Sequence, residues 1–95
     1  GVTIAAGGVF GPQGRELRVP LADPHQNDKI EKFEYNGYRI TNFEMESSSL
    51  AGLSAMMGHR AMTVCCIIAG RVDKKMNTDY KESLPILIDK VLNRI

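Results

Sequence analysis

Two acidic residues, Glu44 and Glu46, flank a methionine within the stretch NFEMESSSL. In an extended strand both carboxylates point to the same side, about 7 Å apart. Such a pair is compatible with acid/base cleavage of a glycosidic bond. It is also compatible with recognition of a vicinal diol, in which an ionised carboxylate accepts two hydroxyl hydrogen bonds and Met45 offers an apolar wall. A surface strand with exposed acids is the third interpretation, and the residues alone leave all three open.

A glutamine and an arginine are separated by one glycine in the sequence Gln13-Gly14-Arg15. An amide offers a donor beside an acceptor, and a guanidinium offers a planar fork of donors. Together they match the edge of a pyrimidine dione, whose carbonyls accept hydrogen bonds and whose ring N–H donates one. A solvated turn explains the same residues without any ligand.

The remaining chemically capable side chains give weaker signals. Arg71 follows the longest apolar run, where it can hold an electron-rich group or point to solvent. His25 and His59 have no metal-ligand spacing with each other or with the cysteines, so we predict no metal and no cofactor. Cys65 and Cys66 are adjacent, and neighbours on a strand point to opposite faces, which argues against a mutual disulfide.

The elements that must position these residues follow from apolar periodicity. The pattern predicts strands at 1–6, 38–46 and 61–69, and helices at about 28–35, 47–58 and 79–95. Ser47 or Ser48 is a candidate helix cap, and Asp79 with Glu82 resembles a capping box. Asn36-Gly37 is interpreted as the end of the first helix. In the last helix one apolar stripe is predicted, formed by Leu84, Ile88, Val91, Leu92 and Ile95.

The order β-loop-α-β-α-β-α indicates an α/β fold, with a mixed, mainly parallel sheet flanked by helices. In open α/β sheets, ligands bind beyond the carboxyl ends of the strands. Three polar stretches occupy such ends: residues 7–15, 44–48 and 69–72. We therefore expect ligand-binding residues within these three stretches.

Length and charge narrow the class of protein. The chain has 95 residues and a net charge of +1, which predicts one domain and no basic surface for nucleic acid. No apolar run approaches the roughly 18 residues that cross a bilayer, and no secretory signal is visible. We expect a cytoplasmic protein with no membrane or nucleic-acid partner.

Three stretches together resemble one known family. These are GVTIAAGGVFGPQGR, NFEMES and GHRAMTVCCIIAGR. They look like the C-terminal part of uridine phosphorylase, in the nucleoside phosphorylase superfamily, and the resemblance extends over essentially residues 1–95. The element EMES after a strand is typical of the superfamily, and PQ-x-R before it is typical of the pyrimidine branch.

The resemblance implies a pentosyltransferase that converts uridine and phosphate to uracil and ribose 1-phosphate. It implies that Gln13, Arg15 and Arg71 contact uracil and that Glu46 and Met45 contact ribose. Phe10 and Glu44 are candidate supporting residues, and no catalytic residue is assigned. Purine-specific relatives usually carry an aspartate where this chain has Gly70, which favours a pyrimidine substrate.

The resemblance also implies what these residues do not supply. In the family, the phosphate-binding arginines and glycine loop lie in the N-terminal part, and a neighbouring subunit adds a histidine and an arginine. We therefore expect the nucleoside-binding half of a site, inactive by itself, in a protein that usually forms hexamers. The alternatives are a purine nucleoside phosphorylase, a nucleosidase of the same superfamily, and a non-catalytic nucleoside-binding module.

Overall fold

The computed structural model describes all 95 residues, Gly1 to Ile95, in two compact units, Gly1–Thr63 and Val64–Ile95. The fold is a small α/β arrangement with three helices and a three-stranded mixed sheet. The first unit contains β1 (Val2–Ala5), a 3₁₀ turn (Gly11–Gln13), α1 (Gln26–Lys32), β2 (Glu34–Tyr35), β3 (Tyr38–Glu44) and α2 (Ser47–Met56). The second unit contains α3 (Tyr80–Leu92).

The sheet has the order β1-β3-β2, with β3 in the centre. β1 runs parallel to β3, and Ala5 lies opposite Glu44. The Ala6 N–H extends this pairing by donating to the Glu44 carbonyl at 2.8 Å. The predicted strands at 1–6 and 38–46 are thus confirmed, and their carboxyl ends lie side by side.

The third strand is not the one that the sequence pattern predicted. β2 and β3 form an antiparallel hairpin around Asn36-Gly37, whose φ angles are 50° and 76°. Two positive φ angles define the tight hairpin turn that Asn-Gly favours, because its twist matches that of paired strands. The interpretation of Asn36-Gly37 as a helix end is therefore wrong, and α1 ends earlier than predicted, at Lys32.

Two glycines provide a matched test of this turn. Gly37→Ala is expected to lower the free energy of unfolding by about 1–2 kcal/mol, because a side chain disfavours positive φ. Gly52→Ala, within α2 and facing open space, is expected to raise it by about 0.5–1 kcal/mol. Urea denaturation followed by circular dichroism measures both. Equal effects of the two substitutions would contradict the assigned turn.

The predicted strand at 61–69 is absent. Only Ala69 makes a bridge, antiparallel to Met76, and Met62, Val64, Ile67 and Ile68 are exposed. A strand forms only where a neighbour satisfies its backbone donors and acceptors. Apolar, β-branched composition alone does not provide that neighbour. The expectation that this run is covered on both faces is therefore wrong.

The helices α2 and α3 form where predicted, but their caps differ. No side-chain hydrogen bond from Ser47, Ser48 or Asp79 caps a helix, so the serine caps and the capping box are corrections. The less exposed face of α3 contains Tyr80, Ser83, Leu87 and Val91, and it shares only Val91 with the predicted stripe. No helix has both the length and the apolar character needed to cross a membrane.

Very little of the chain is buried. Only Ala6 and Gln13, each 6% exposed, are buried; Ala6 directly follows β1, and Gln13 ends the 3₁₀ turn. Most large hydrophobic side chains are exposed in each of the two units. Both buried residues therefore lie in the segment after β1 that carries the candidate residues, and much apolar surface elsewhere faces solvent.

Candidate functional site

Two turns leave the sheet from the same edge. The first follows β1 and contains the 3₁₀ turn Gly11–Gln13, and the second follows β3 and joins it to α2. Because β1 and β3 are parallel neighbours, both turns begin at adjacent strand ends. The structure thus places Gln13, Arg15, Met45 and Glu46 on turns that start at one edge of the sheet.

The first turn has a defined backbone conformation. The Phe10 carbonyl accepts from the N–H of Gln13 at 2.9 Å and from the N–H of Arg15 at 3.0 Å. Gly14 closes the turn with φ at 70°, a left-handed conformation that glycine adopts without strain. Pro12 fits the first turn, since it has no N–H to satisfy there.

Gln13 and Arg15 are brought together by this turn. Gln13 is the buried polar side chain of the chain, and Arg15 is half-buried. Arg15 Nη1 donates to the Val9 carbonyl and, at 3.3 Å, to Gln13 Oε1. The two contacts fix one end of the guanidinium, which leaves Nε and Nη2 available to a ligand.

Helix α1 supports the same turn through two amide side chains. Gln26 Nε2 donates to the Pro12 carbonyl at 2.9 Å, and Asn27 Nδ2 donates to the Gly14 carbonyl at 3.4 Å. The sequence interpretation missed both residues, because neither has a motif that links it to a turn many residues earlier. Paired amides at the start of a helix were the only available signal.

Glu44 forms the hydrogen bonds that a serine cap was expected to form. Its Oε2 accepts from the N–H of Glu46 at 2.9 Å and from the N–H of Ser47 at 2.6 Å, and its Oε1 accepts from the Ser47 hydroxyl. The carboxylate thereby satisfies donors at the start of α2, which have no partner within the helix. The spacing Glu-x-x-Ser, a capping box in reverse order, was the signal in the sequence.

These hydrogen bonds make the start of α2 dependent on pH. The Ser47 hydroxyl, followed by the N–H groups of Glu46 and Ser47, holds the pKa of Glu44 below its ordinary 4.5, outweighing an opposing effect of desolvation. A lowered pKa contributes stability that is complete above the ordinary value and is lost as the pH falls through the folded-state pKa.

We expect the amide proton shifts of Glu46 and Ser47 to titrate together in the acid range below the ordinary pKa of Glu44, measured by NMR from about pH 7 to about pH 2. In Glu44→Gln the response shared by the two amides should disappear, because the carboxylate to which both donate is replaced by an amide that does not titrate. Unchanged amide shifts in the parent chain would contradict the assigned cap.

Met45 and Glu46 protrude from the second turn. Met45 is 44% exposed, and Glu46 is exposed with its backbone at the N-cap position of α2. Glu46 Oε2 accepts only from the adjacent Met45 N–H, at 3.2 Å. An exposed carboxylate at the positive end of a helix is suited to accept hydrogen bonds from hydroxyl groups.

The other candidates have different surroundings. Arg71 lies in the second unit, in a turn between the bridged residues Ala69 and Met76, and the strand expected to present it is not formed. Phe10 lines an open groove of about 850 Å³ with Arg15 and apolar residues of the segment 17–22. No three His, Cys, Asp or Glu side chains are grouped closely enough to hold a metal ion, and both cysteines are free thiols.

Comparisons with protein-family models, with curated proteins and with solved structures each found no match to this chain. The resemblance to uridine phosphorylase therefore depends on the three sequence stretches quoted above.

Proposed function

We propose that this chain provides the uracil and ribose contacts of a uridine phosphorylase-type site. The reaction is the transfer of ribose from uridine to inorganic phosphate, which releases uracil and ribose 1-phosphate. Two independent supports are the sequence resemblance and the position of the candidate residues at one sheet edge.

The observation that carries the proposal is the parallel pairing of β1 with β3. It starts the Gln13–Arg15 turn and the Glu44–Glu46 turn from adjacent strand ends. One turn offers amide and guanidinium donors, and the other offers an exposed carboxylate beside an apolar side chain. A nucleoside requires both kinds of group, because it joins a planar polar base to a sugar with two hydroxyls.

At the base end, Gln13 and Arg15 act by electrostatic stabilisation. Cleavage of the glycosidic bond leaves negative charge on the departing uracil. Donors held in position at its carbonyls stabilise that charge more than they stabilise bound uridine, which lowers the barrier. The contacts of Arg15 with Val9 and Gln13 hold the guanidinium in place before a ligand arrives.

At the sugar end, Glu46 accepts hydrogen bonds from the ribose hydroxyls, and Met45 contacts the apolar face of the ring. The negative charge of Glu46 also favours the cationic character that the sugar gains during cleavage. Glu44 takes no part in this chemistry. It fixes the turn that presents Glu46.

The phosphate site belongs, in this proposal, to polypeptide outside these 95 residues. The resemblance implies arginines and a glycine loop from the N-terminal part of such an enzyme, with a histidine and an arginine from a neighbouring subunit. The chain is accordingly proposed as the C-terminal part of a nucleoside phosphorylase domain, with Arg71 joining the base pocket in the complete enzyme.

The test combines binding and turnover. Calorimetry on this chain should detect uracil and uridine in preference to adenosine, and Gln13→Ala should abolish the uracil signal. The protein encoded by the complete reading frame should consume uridine, followed by absorbance, only when phosphate is present. Cleavage without phosphate would indicate a nucleosidase, a preference for inosine would indicate a purine enzyme, and binding with no turnover would indicate a non-catalytic module.

A further inference from the structure

Helix α1 needs contacts outside itself to keep its geometry. It has seven residues, none of them buried, and no side chain caps its start. Isolated helices shorter than about 12–15 residues are marginal in water. At the C-terminal end of α1, Arg39 of β3 donates from Nη2 to the Glu31 carbonyl at 2.8 Å. This contact ties one end of the helix to the sheet, and the start of the helix depends on a different set of contacts.

Asp23 provides contacts at the start of α1. Its Oδ1 accepts from the His25 N–H at 3.0 Å, and its Oδ2 accepts from Lys29 Nζ at 2.6 Å. The Asp23 carbonyl accepts from the Gln26 N–H at 3.1 Å. The hydrogen bond from Lys29, followed by that from the His25 N–H, lowers the pKa of Asp23 from its ordinary 3.8. Asp23 is therefore an ionised acceptor at neutral pH, and it joins the segment before α1 to the helix.

The start of α1 is also the part of the helix that contacts the first turn of the candidate site. Gln26 donates to the Pro12 carbonyl and Asn27 donates to the Gly14 carbonyl. A Cβ atom added at Gly14 would lie 2.3 Å from Asn27 Oδ1, so the helix and the turn are in direct contact. Since Gln13 lies between the two acceptor residues, the position of α1 affects the position of Gln13.

We propose that the ion pair between Asp23 and Lys29 positions the uracil contacts of the proposed site. The pair fixes the start of α1, and the two amide side chains of α1 hold the first turn in place. The role of this turn in binding uracil rests on the proposed function, whereas its ordering can be measured without a ligand. Because the two side chains of the pair are 40% and 69% exposed, we expect effects of about two- to fivefold, the upper range for exposed pairs.

Amide hydrogen exchange in the first turn, followed by NMR on this chain, tests the proposal without a ligand. The N–H groups of Gln13 and Arg15 both donate to the Phe10 carbonyl, so their exchange reports local opening of the turn. The Ala6 N–H, which donates to the Glu44 carbonyl, is the internal reference for the sheet. A change at the turn with no change at Ala6 separates local opening from a general loss of stability.

Two substitutions remove the ion pair from opposite sides. Asp23→Asn should speed exchange in the turn by about two- to fivefold, because the amide can still accept from the His25 N–H but lacks the charge that holds Lys29. Lys29→Met should have the same effect. Lys32→Met makes the same change of charge at an exposed position of α1 without a hydrogen bond, and it should leave the exchange unchanged.

A combined variant tests whether the pair acts through α1. Gln26→Ala together with Asn27→Ala removes both amide contacts and should itself speed exchange in the turn. Adding Asp23→Asn to this variant should then have no further effect, because the contacts through which it acts are already missing. Effects that add would show that Asp23 influences the turn by another route and would overturn the proposal.

Calorimetry with uracil provides the functional measurement. Asp23→Asn should weaken uracil binding by about the same two- to fivefold, with the loss in the entropy of binding, because the turn must then be ordered when the ligand binds. A parent chain that shows the expected exchange but binds no uracil would contradict the proposed function and leave the ordering of the turn supported. A parent chain that binds uracil, with exchange and affinity both unchanged in Asp23→Asn, would overturn the positioning role.

Discussion

Replacement of Arg15 by alanine is expected to lower kcat/KM for uridine phosphorolysis by about 10²–10³-fold, the usual effect of removing one donor that stabilises developing negative charge. The reason is that, in the proposed site, the donors of Arg15 not used by Val9 and Gln13 bind the uracil carbonyls. Initial rates with uridine and phosphate, in the protein encoded by the complete reading frame, measure the loss.

Two controls distinguish the loss of the Arg15 donors from disorder of the loop that carries Arg15. Arg18→Ala removes a guanidinium from the same segment, at an exposed position without a hydrogen bond, and should change the rate by less than about threefold. 5-Fluorouridine releases a base that carries negative charge more easily, so Arg15→Ala should reduce its cleavage by a smaller factor. Equal losses with both nucleosides would show that Arg15 acts on loop structure alone.

Glu46→Gln is expected to lower kcat/KM for uridine by roughly 10²-fold, because hydrogen bonds to a charged acceptor contribute about 1.5–3 kcal/mol each. The amide keeps the size of the side chain but presents a donor to one of the two hydroxyls. The loss should appear in kcat/KM and should be accompanied by weaker binding of uridine in calorimetry.

A substrate without the diol provides the matched comparison. With 2′,3′-dideoxyuridine, Glu46→Gln should change kcat/KM by less than about threefold, because the contact is already missing. Glu34→Gln, at an exposed carboxylate on β2, should leave both nucleosides unaffected. A large loss on the dideoxy substrate would remove Glu46 from the ribose site.

The sheet edge that carries the candidate site could be predicted from the sequence because local signals agreed there. The apolar start of the chain and the pattern before Glu44 define β1 and β3, and a parallel arrangement brings their carboxyl ends together. Gln13 and Arg15 could be paired from spacing alone, since one glycine separates them.

The β2–β3 hairpin cannot be predicted from the sequence if Asn36-Gly37 is interpreted as the end of a helix. The dipeptide adopts positive φ in both settings, and only the pairing of Tyr35 with Tyr38 distinguishes them. The missing strand at 61–69 has a related cause. The apolar, β-branched composition of this segment indicates that it would pack well in a sheet. Whether a strand forms depends on a neighbouring strand from another part of the polypeptide.

The cap of α2 was missed for a chemical reason. Serine is the preferred residue at a helix start, so Ser47 and Ser48 were assigned that role. A glutamate three residues earlier reaches the same N–H groups because the chain bends sharply between Glu44 and Ser47. Such a bend is a property of the folded backbone, and the spacing Glu-x-x-Ser is its one trace in the sequence.

The amide contacts of Gln26 and Asn27 with the Pro12 and Gly14 carbonyls have a thermodynamic consequence for ligand binding. They order the turn around Gln13 and Arg15 when the chain folds, so the entropy of ordering is lost at that stage and not when a ligand binds. Removing either amide would leave every ligand-contacting group in place and still weaken affinity, and the loss would appear in the entropy of binding and not in its enthalpy.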